Sequence, residues 1–313
     1  MITMRSPKKC SMQEEVPYHR PVLLSESVDG LDIKEDGVYV DVTFGGGGHS
    51  KEILRRLGDK GRLVAFDQDE DALSNAVQDE RFQLINENFR FVKRFLKFYG
   101  IVKVDGILAD FGVSSHQFDV AERGFSTRFD AELDMRMNRQ TAKTAMTVLN
   151  TYTEEDLYGL LKTFGELRSA KGVARALVSF RMKRKIATAS DLRSAIVKFL
   201  PRGKENRTLA QVFQAVRIEV NEEIQVLKEF LEQVPGLLKI GGRLSVISYH
   251  SLEDRLVKRY IRDGKFVGQA EKDFYGNISV PLRKVGGLIV PSEKEITENN
   301  RARSAKLRIA ERI

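Results

Sequence analysis

The sequence predicts an α/β fold: a Rossmann-like open sheet with an inserted all-helical domain. Three observations carry this expectation. Strand and helix patterns alternate through the first third of the chain, strand signals stop between about residues 121 and 212, and a strong strand, GGRLSVISY, returns afterwards. Alternation of this kind marks a mostly parallel sheet covered by helices on both faces.

Taken in order, GVYVDVTF reads as a buried strand, SKEILRRL as a helix ended by Gly58, GRLVAFD as a second strand and EDALSNAV as a second helix. RFQLIN is a third strand, NFRFVKRFLKFYG a helix and VDGILADFG a fourth strand. In the helical block, TEEDLYGLLKTFG opens with Thr153 and Asp156 at capping-box spacing and sets Leu157, Leu160, Leu161 and Phe164 on one face. SDLRSAIVKFLP is a helix with Ser190 as its cap and Pro201 as its stop. A long amphipathic helix follows from about Thr208 to Val234, leading into the returning strand. SLEDRLVKRYIRD then forms a helix with Ser251 and Asp254 as its capping box, and SAKLRIAERI a last strand at or near the sheet edge. The expected division is a disordered tail over 1–15, an α/β domain from 16–120 and 213–313, and a helical insert over 121–212.

Composition narrows the function. The 313 residues carry 52 Lys and Arg against 44 Asp and Glu, a net charge of +8 that favours a polyanionic partner such as RNA. The lone cysteine, Cys10, excludes a disulfide framework or a cysteine-based zinc site within the chain and fits a reducing cytoplasm; no metal is expected. The opening MITMRSPKKCSMQEE lacks the apolar core of a signal peptide, and no stretch reaches the roughly 18 apolar residues a membrane span needs.

The chemistry gathers around VYVDVTFGGGGHS, residues 38–50, where a strand runs into four glycines. The first strand-to-helix turn of an open α/β sheet is the usual ligand cradle. A phosphate-binding P-loop requires Gly-Lys-Ser/Thr at its end, but His49 follows Gly48. A dinucleotide fingerprint counted from Gly45 fails at Ser50. A nucleoside without a pyrophosphate remains: Asp67, 22 residues beyond Gly45, suits ribose hydroxyls, and Asp41 closes the first strand. S-adenosylmethionine is such a ligand, its cationic sulfonium favouring nearby carboxylates. Asp110 ends the fourth strand and faces the same crevice, although such a residue also serves as a plain helix cap.

The blocks HRPVLLSE, DVTFGGGGHS, DFGVSSHQFD, RGFSTRFDAELDMRMN, FGELRSAKGVARAL, FQAVRIEVNEEI, GGRLSVISYHSLEDRLVKRY and NNRARSAKLRIAE occur in this order. With them the chain resembles, over nearly its whole length, the ribosomal RNA small subunit methyltransferase H family. The resemblance implies a class I S-adenosylmethionine-dependent methyltransferase that methylates the N4 amine of a cytidine in the decoding centre of 16S rRNA, with 16S rRNA or the small ribosomal subunit as partner. It implies cofactor contacts at Gly47, Gly48, His49, Asp67, Phe89, Asp110 and Gln117. Phe89 also reads as a core residue, because Phe89, Val92 and Phe95 fall at helical spacing. The chain departs from the family at Phe111, His116 and Phe118, where leucine, proline and leucine are expected, and NRTLAQVFQAVRI lacks the usual His-Pro-Ala start.

A cytosine amine is a poor nucleophile because its lone pair is delocalised into the ring, so transfer needs alignment and a proton acceptor. Asp110 is the candidate, with backbone carbonyls of FGVSS assisting; the Pro-Pro-aromatic motif of other exocyclic-amine methylases is absent. Tyr249 and His250 in SYHSLEDR are candidates for contacting the target base, and a Ser/His/acid triad there is rejected because adjacent residues at a strand end seldom converge. Between Glu166 and Lys185 stand seven basic residues and one acid, with Arg168, Lys171 and Arg175 expected on one face as a phosphate-tracking stripe or a merely solvated one. Two rival readings stay open: an RNA-binding assembly factor that keeps the cofactor fold without turnover, and a methyltransferase acting on DNA or protein.

Overall fold

The computed structural model describes residues 21–268, 270 and 279–313; the tail expected over 1–15, with Cys10, lies outside the described residues. Seven strands are described: β1 (Val38–Asp41), β2 (Arg62–Phe66), β3 (Phe82–Ile85), β4 (Val104–Asp110), β5 (Leu238–Ser248), β6 (Leu282–Ile289) and β7 (Lys306–Arg312). They form one sheet in the order β3-β2-β1-β4-β5-β7-β6, with β1 to β5 parallel and β7 antiparallel between β5 and β6. This is the expected Rossmann-like sheet, and its strand order reverses between β1 and β4.

Before the interruption come α1 (Leu24–Asp29), α2 (Gly48–Arg56), α3 (Val92–Phe98) and α4 (Ser115–Asp119). Within it lie α5 (Ala145–Thr151), α6 (Glu154–Thr163), α7 (Ala170–Arg181), α8 (Ala189–Ile196) and α9 (Glu205–Asn221); α10 (Glu223–Leu237), α11 (Ser251–Asp263) and α12 (Glu293–Glu298) follow. Successive strand residues face opposite sides, which splits the sheet's contacts into two cores. Tyr39, Leu63 and Leu108 pack on α1 and α2 with Val28, Ile53 and Leu54. Val40, Val64 and Ile107 pack on the other face with Leu96, Phe230 and Val257 of α3, α10 and α11. The helical block between β4 and β5 has its own core, from Phe125 and Leu133 through Leu157, Val173 and Leu192 to Val216 and Val220. Helix α9 therefore packs with the block well past residue 212, and α10 returns to the sheet.

Several local expectations are corrected. EDALSNAV forms one 3-10 helix over Glu70–Asn75, because only Ala72 is buried and no apolar face exists to stabilise an α-helix. The helix expected from Thr208 to Val234 breaks at Glu222, a non-glycine residue at φ 52°, held there by Arg90 to Glu222 at 2.9 Å and Arg217 to Glu223 at 2.8 Å. Thr188, not Ser190, caps α8 and forms a capping box with Asp191. His250 and Glu253, not Ser251 and Asp254, form the box of α11, since Asp254 is drawn to Arg308 of β7 at 2.7 Å. The edge strand β6 has no counterpart in the sequence reading: its Gly286–Gly287 pair falls where the ladder shifts register, breaking the period-2 pattern. The Thr153 and Asp156 capping box stands as expected.

Candidate active site

The glycine turn is built for a conformation that side chains resist. Gly45 and Gly47 lie at φ 50° and 76°, and a Cβ on Gly47 would sit 2.8 Å from the Phe44 ring, one on Gly48 2.1 Å from Pro21. Helix α2 starts here with no side-chain cap, leaving its first N–H groups for a ligand. Asp41 lies beneath the turn rather than lining it: fully buried, it accepts from Ser50 Oγ at 2.7 Å and from the Thr43 N–H at 3.1 Å, and burial raises its pKa to about 6.

Asp67, directly after β2, accepts the Gly45 N–H at Oδ2 (2.7 Å) and the Asp69 N–H at Oδ1 (2.9 Å). These bonds fix its plane and leave a further lone pair on each oxygen. Burial, reinforced by Asp69 and Asp41, lifts its pKa to about 6 against the two backbone donors. Gln117 is buried: it donates to Asp69 Oδ2 at 2.6 Å and completes the Ser114 cap of α4. It therefore acts on the acid loop from behind.

Asp110 ends β4 across the switch point. Tyr249, just after β5, donates its hydroxyl to Asp110 Oδ1 at 2.8 Å. Burial raises the Asp110 pKa to about 7, the Tyr249 bond lowers it, and Asp41 and Glu253 raise it further; 22 % of the side-chain surface stays accessible, so the group is desolvated yet reachable. His49 is 5 % exposed, and its Nε2 lies 3.2 Å from the Val22 carbonyl, which can only accept, so Nε2 carries the proton. Its bare Nδ1 stands 3.9 Å from Asp110 Oδ2. Burial lowers the His49 pKa to about 4, so the ring is neutral and does not pair with Asp110 as a cation.

Beside these acids opens a crevice lined by Thr43, Gln68, Asn88, Phe89, Phe111 and Gly112 on the sheet side and by Met137, Asn221, Glu223 and Glu253 opposite. Phe89 heads a 3-10 turn, lines the crevice, and packs on Phe111 at 5.8 Å and Phe230 at 5.4 Å. The departures from the family pattern are accommodated, with Phe111 in that cluster, His116 3.3 Å from Asp71 and Phe118 beneath Arg301.

Three ligand-type side chains, Glu223, His250 and Glu253, lie within 4.8 Å of one another. His250 Nδ1 accepts the Glu253 N–H as the α11 cap, so in the neutral ring Nε2 holds the proton and offers a metal no lone pair. Within the cluster Arg217 pairs with Glu223 at 2.8 Å, and His250 Nε2 lies 3.1 Å from Glu253 Oε1.

The basic stretch is only partly a stripe. Arg168 precedes α7, whereas Lys171 and Arg175 lie on it, and all three are exposed. Arg181 donates to the Leu149 and Tyr152 carbonyls and Arg184 pairs with Asp191, so these two serve the fold. The Arg168 end reaches the crevice: Glu166 binds Ser251 at 2.6 Å and Arg255 at 2.7 Å, at the start of α11 two residues from Tyr249. Sequence reasoning assigned no role to Asp69, Arg123, Met137 and Asn221, whose partners are distant in sequence; the quoted blocks RGFSTRFDAELDMRMN and FQAVRIEVNEEI contained three of them.

The profile of the MraW methylase family matches residues 17–313. The chain belongs to the MraW methylase family. It is 65% identical over 296 residues to the ribosomal RNA small subunit methyltransferase H of Christiangramia forsetii, covering 95% of this chain and 98% of that one. The protein of that name from Flavobacterium johnsoniae is 65% identical over 302 residues, covering 96% and 100%. Among solved structures, an rRNA methylase from Streptococcus thermophilus aligns with a TM-score of 0.43 at 12% identity, covering 96% and 99%. Among the described residues no helix is long and apolar enough to cross a membrane.

Proposed function

We propose that the protein methylates the N4 amine of a cytidine in the decoding centre of the 16S rRNA, with S-adenosylmethionine as donor and the small ribosomal subunit as partner. One observation carries this: two desolvated carboxylates, Asp67 and Asp110, flank a bare-backbone glycine turn at the switch point of the sheet. The names of the relatives support rRNA as the substrate class.

The residues present fit this cofactor. Asp67 has lone pairs left for ribose hydroxyls, Gly47 and Gly48 let the backbone approach closely, and Phe89 and Phe111 give a base an apolar wall. Bound there, the cofactor supplies an electrophilic methyl on a cationic sulfonium. Asp110 accepts a proton from the attacking amine, and its pKa near 7 matches that task at neutral pH. Tyr249 holds the Asp110 carboxylate in place, and Gln117 works on the acid loop from behind. His250, spent on the helix cap, sits beside the base site rather than stacking in it.

The helical block grips RNA through Arg168, Lys171 and Arg175, since an enzyme acting on a base must hold it unstacked. The site of action is the cytoplasm. The test is transfer of labelled methyl to small subunits, free 16S rRNA and duplex DNA. Transfer to the first or second is expected. Cofactor binding without transfer to any acceptor favours the assembly-factor reading, and transfer to DNA alone overturns the RNA assignment.

A further inference from the structure

One buried cation near the crevice is used by none of this chemistry. Arg123 is 1 % exposed, and arginine is seldom buried unless it is paired. Its guanidinium reaches Asp69 through Nη2 to Oδ2 at 2.7 Å and Nη1 to Oδ1 at 3.0 Å, and also binds Asp71. From the same fork Nη2 donates to the carbonyls of Arg136 at 2.9 Å and Met137 at 3.2 Å. The first pair belongs to the loop after β2, the second to the segment that enters the helical block.

Both arms lead to the crevice. On one side the Asp69 N–H donates to Asp67 Oδ1, so the plane of the ribose-binding carboxylate depends on where Asp69 is held. On the other, the Met137 sulfur lies 3.2 Å from Gln68 Nε2, and Gln68 Oε1 accepts from Asn88 Nδ2 at 2.7 Å; Met137, Gln68 and Asn88 all line the crevice. The backbone adds a constraint, since Gly124, next to Arg123, lies at φ 71° and a Cβ there would meet the Glu132 carbonyl at 2.3 Å. The planar fork of arginine satisfies carboxylates and carbonyls together, which a lysine ammonium on a flexible stem does not.

We propose that Arg123 is a positioning residue for the cofactor, a clasp that seats Arg136 and Met137 of the helical block against the acid loop and thereby sets cofactor affinity. This rests on the reading of Asp67 and the crevice beside it as the cofactor site. The clasp makes the crevice wall a joint product of sheet and insert.

The experiment compares wild type with Arg123→Lys and Asp71→Asn, by calorimetric titration of S-adenosylhomocysteine and by steady-state methylation of small subunits. For Arg123→Lys the dissociation constant and the KM for S-adenosylmethionine should rise at least about tenfold, with kcat at saturating cofactor within about threefold of wild type. Asp71→Asn removes one outer arm of the clasp and keeps the charge on Asp69, and should give a smaller rise in the same two constants. A merely structural arginine would lower the active fraction, hence kcat, and leave affinity alone; that result overturns the proposal. If Arg123→Lys does not fold, an unchanged dissociation constant in Asp71→Asn overturns it. Failure of the wild type to bind would instead remove the cofactor reading itself, and the clasp with it.

Discussion

Replacing Tyr249 by phenylalanine deletes one oxygen atom from the crevice and leaves the ring in place. That hydroxyl donates to Asp110 at 2.8 Å and lowers the Asp110 pKa against burial and against the charges of Asp41 and Glu253. A hydrogen bond to a charged group contributes about 1.5–3 kcal/mol, and one pKa unit corresponds to about 1.4 kcal/mol. The variant's Asp110 therefore titrates about one to two units above the wild-type value of about 7. In the proposed mechanism the ionised carboxylate is the proton acceptor, so activity should rise with pH through this pKa, and the rising limb should move to higher pH in the variant. At pH 7 the ionised fraction falls from about a half to between about a tenth and a hundredth, a rate loss of about fivefold to fiftyfold that recovers near pH 9 to 10. The assay is single-turnover methyl transfer to small subunits across that range. A rate lowered uniformly with an unmoved limb, or an unchanged profile, would refute the assignment of Asp110 as acceptor.

Asp67→Asn exchanges the proposed charged acceptor of ribose hydroxyls for an amide and should weaken S-adenosylhomocysteine binding about tenfold to hundredfold by calorimetry; an unchanged constant would remove Asp67 from the site. Gly47→Ala forces a side chain into φ 76° and against Phe44, and should lower Tm by the equivalent of about 1–3 kcal/mol while weakening the cofactor. Thr153→Ala removes the cap of α6, far from the crevice, and should cost about 1 kcal/mol in denaturant melts with methylation unaffected; a loss of activity would tie that helix to catalysis.

The sheet was legible because its buried strands are short apolar runs between glycine and acidic turns, and the acids that matter, Asp67 and Asp110, stand at strand ends where the topology of such sheets puts ligands. The helix break at Glu222 was not, since it depends on Arg90 and Arg217 pinning charges across it, and local periodicity runs smoothly through the point. Likewise β6 hides behind two glycines at a register shift. Cap identities failed where tertiary partners competed: Asp254 has the right spacing for a box, but Arg308 takes it. Among site residues, those that shape a local turn were visible, whereas Arg123 and Asn221 act through contacts more than 50 residues away in sequence, which no window reveals. Tyr249 was marked for the base from its place at the strand end, but the bond from its hydroxyl to Asp110, 139 residues away, was not legible.

The most direct measurement is nucleoside analysis of small-subunit RNA after incubation with the protein and methyl-labelled S-adenosylmethionine. Label recovered as N4-methylcytidine from one position in the decoding centre is the result this account predicts. Label on a ring carbon, a ribose hydroxyl or another base would contradict it, since the Asp110 crevice is argued as an acceptor for an exocyclic amine proton.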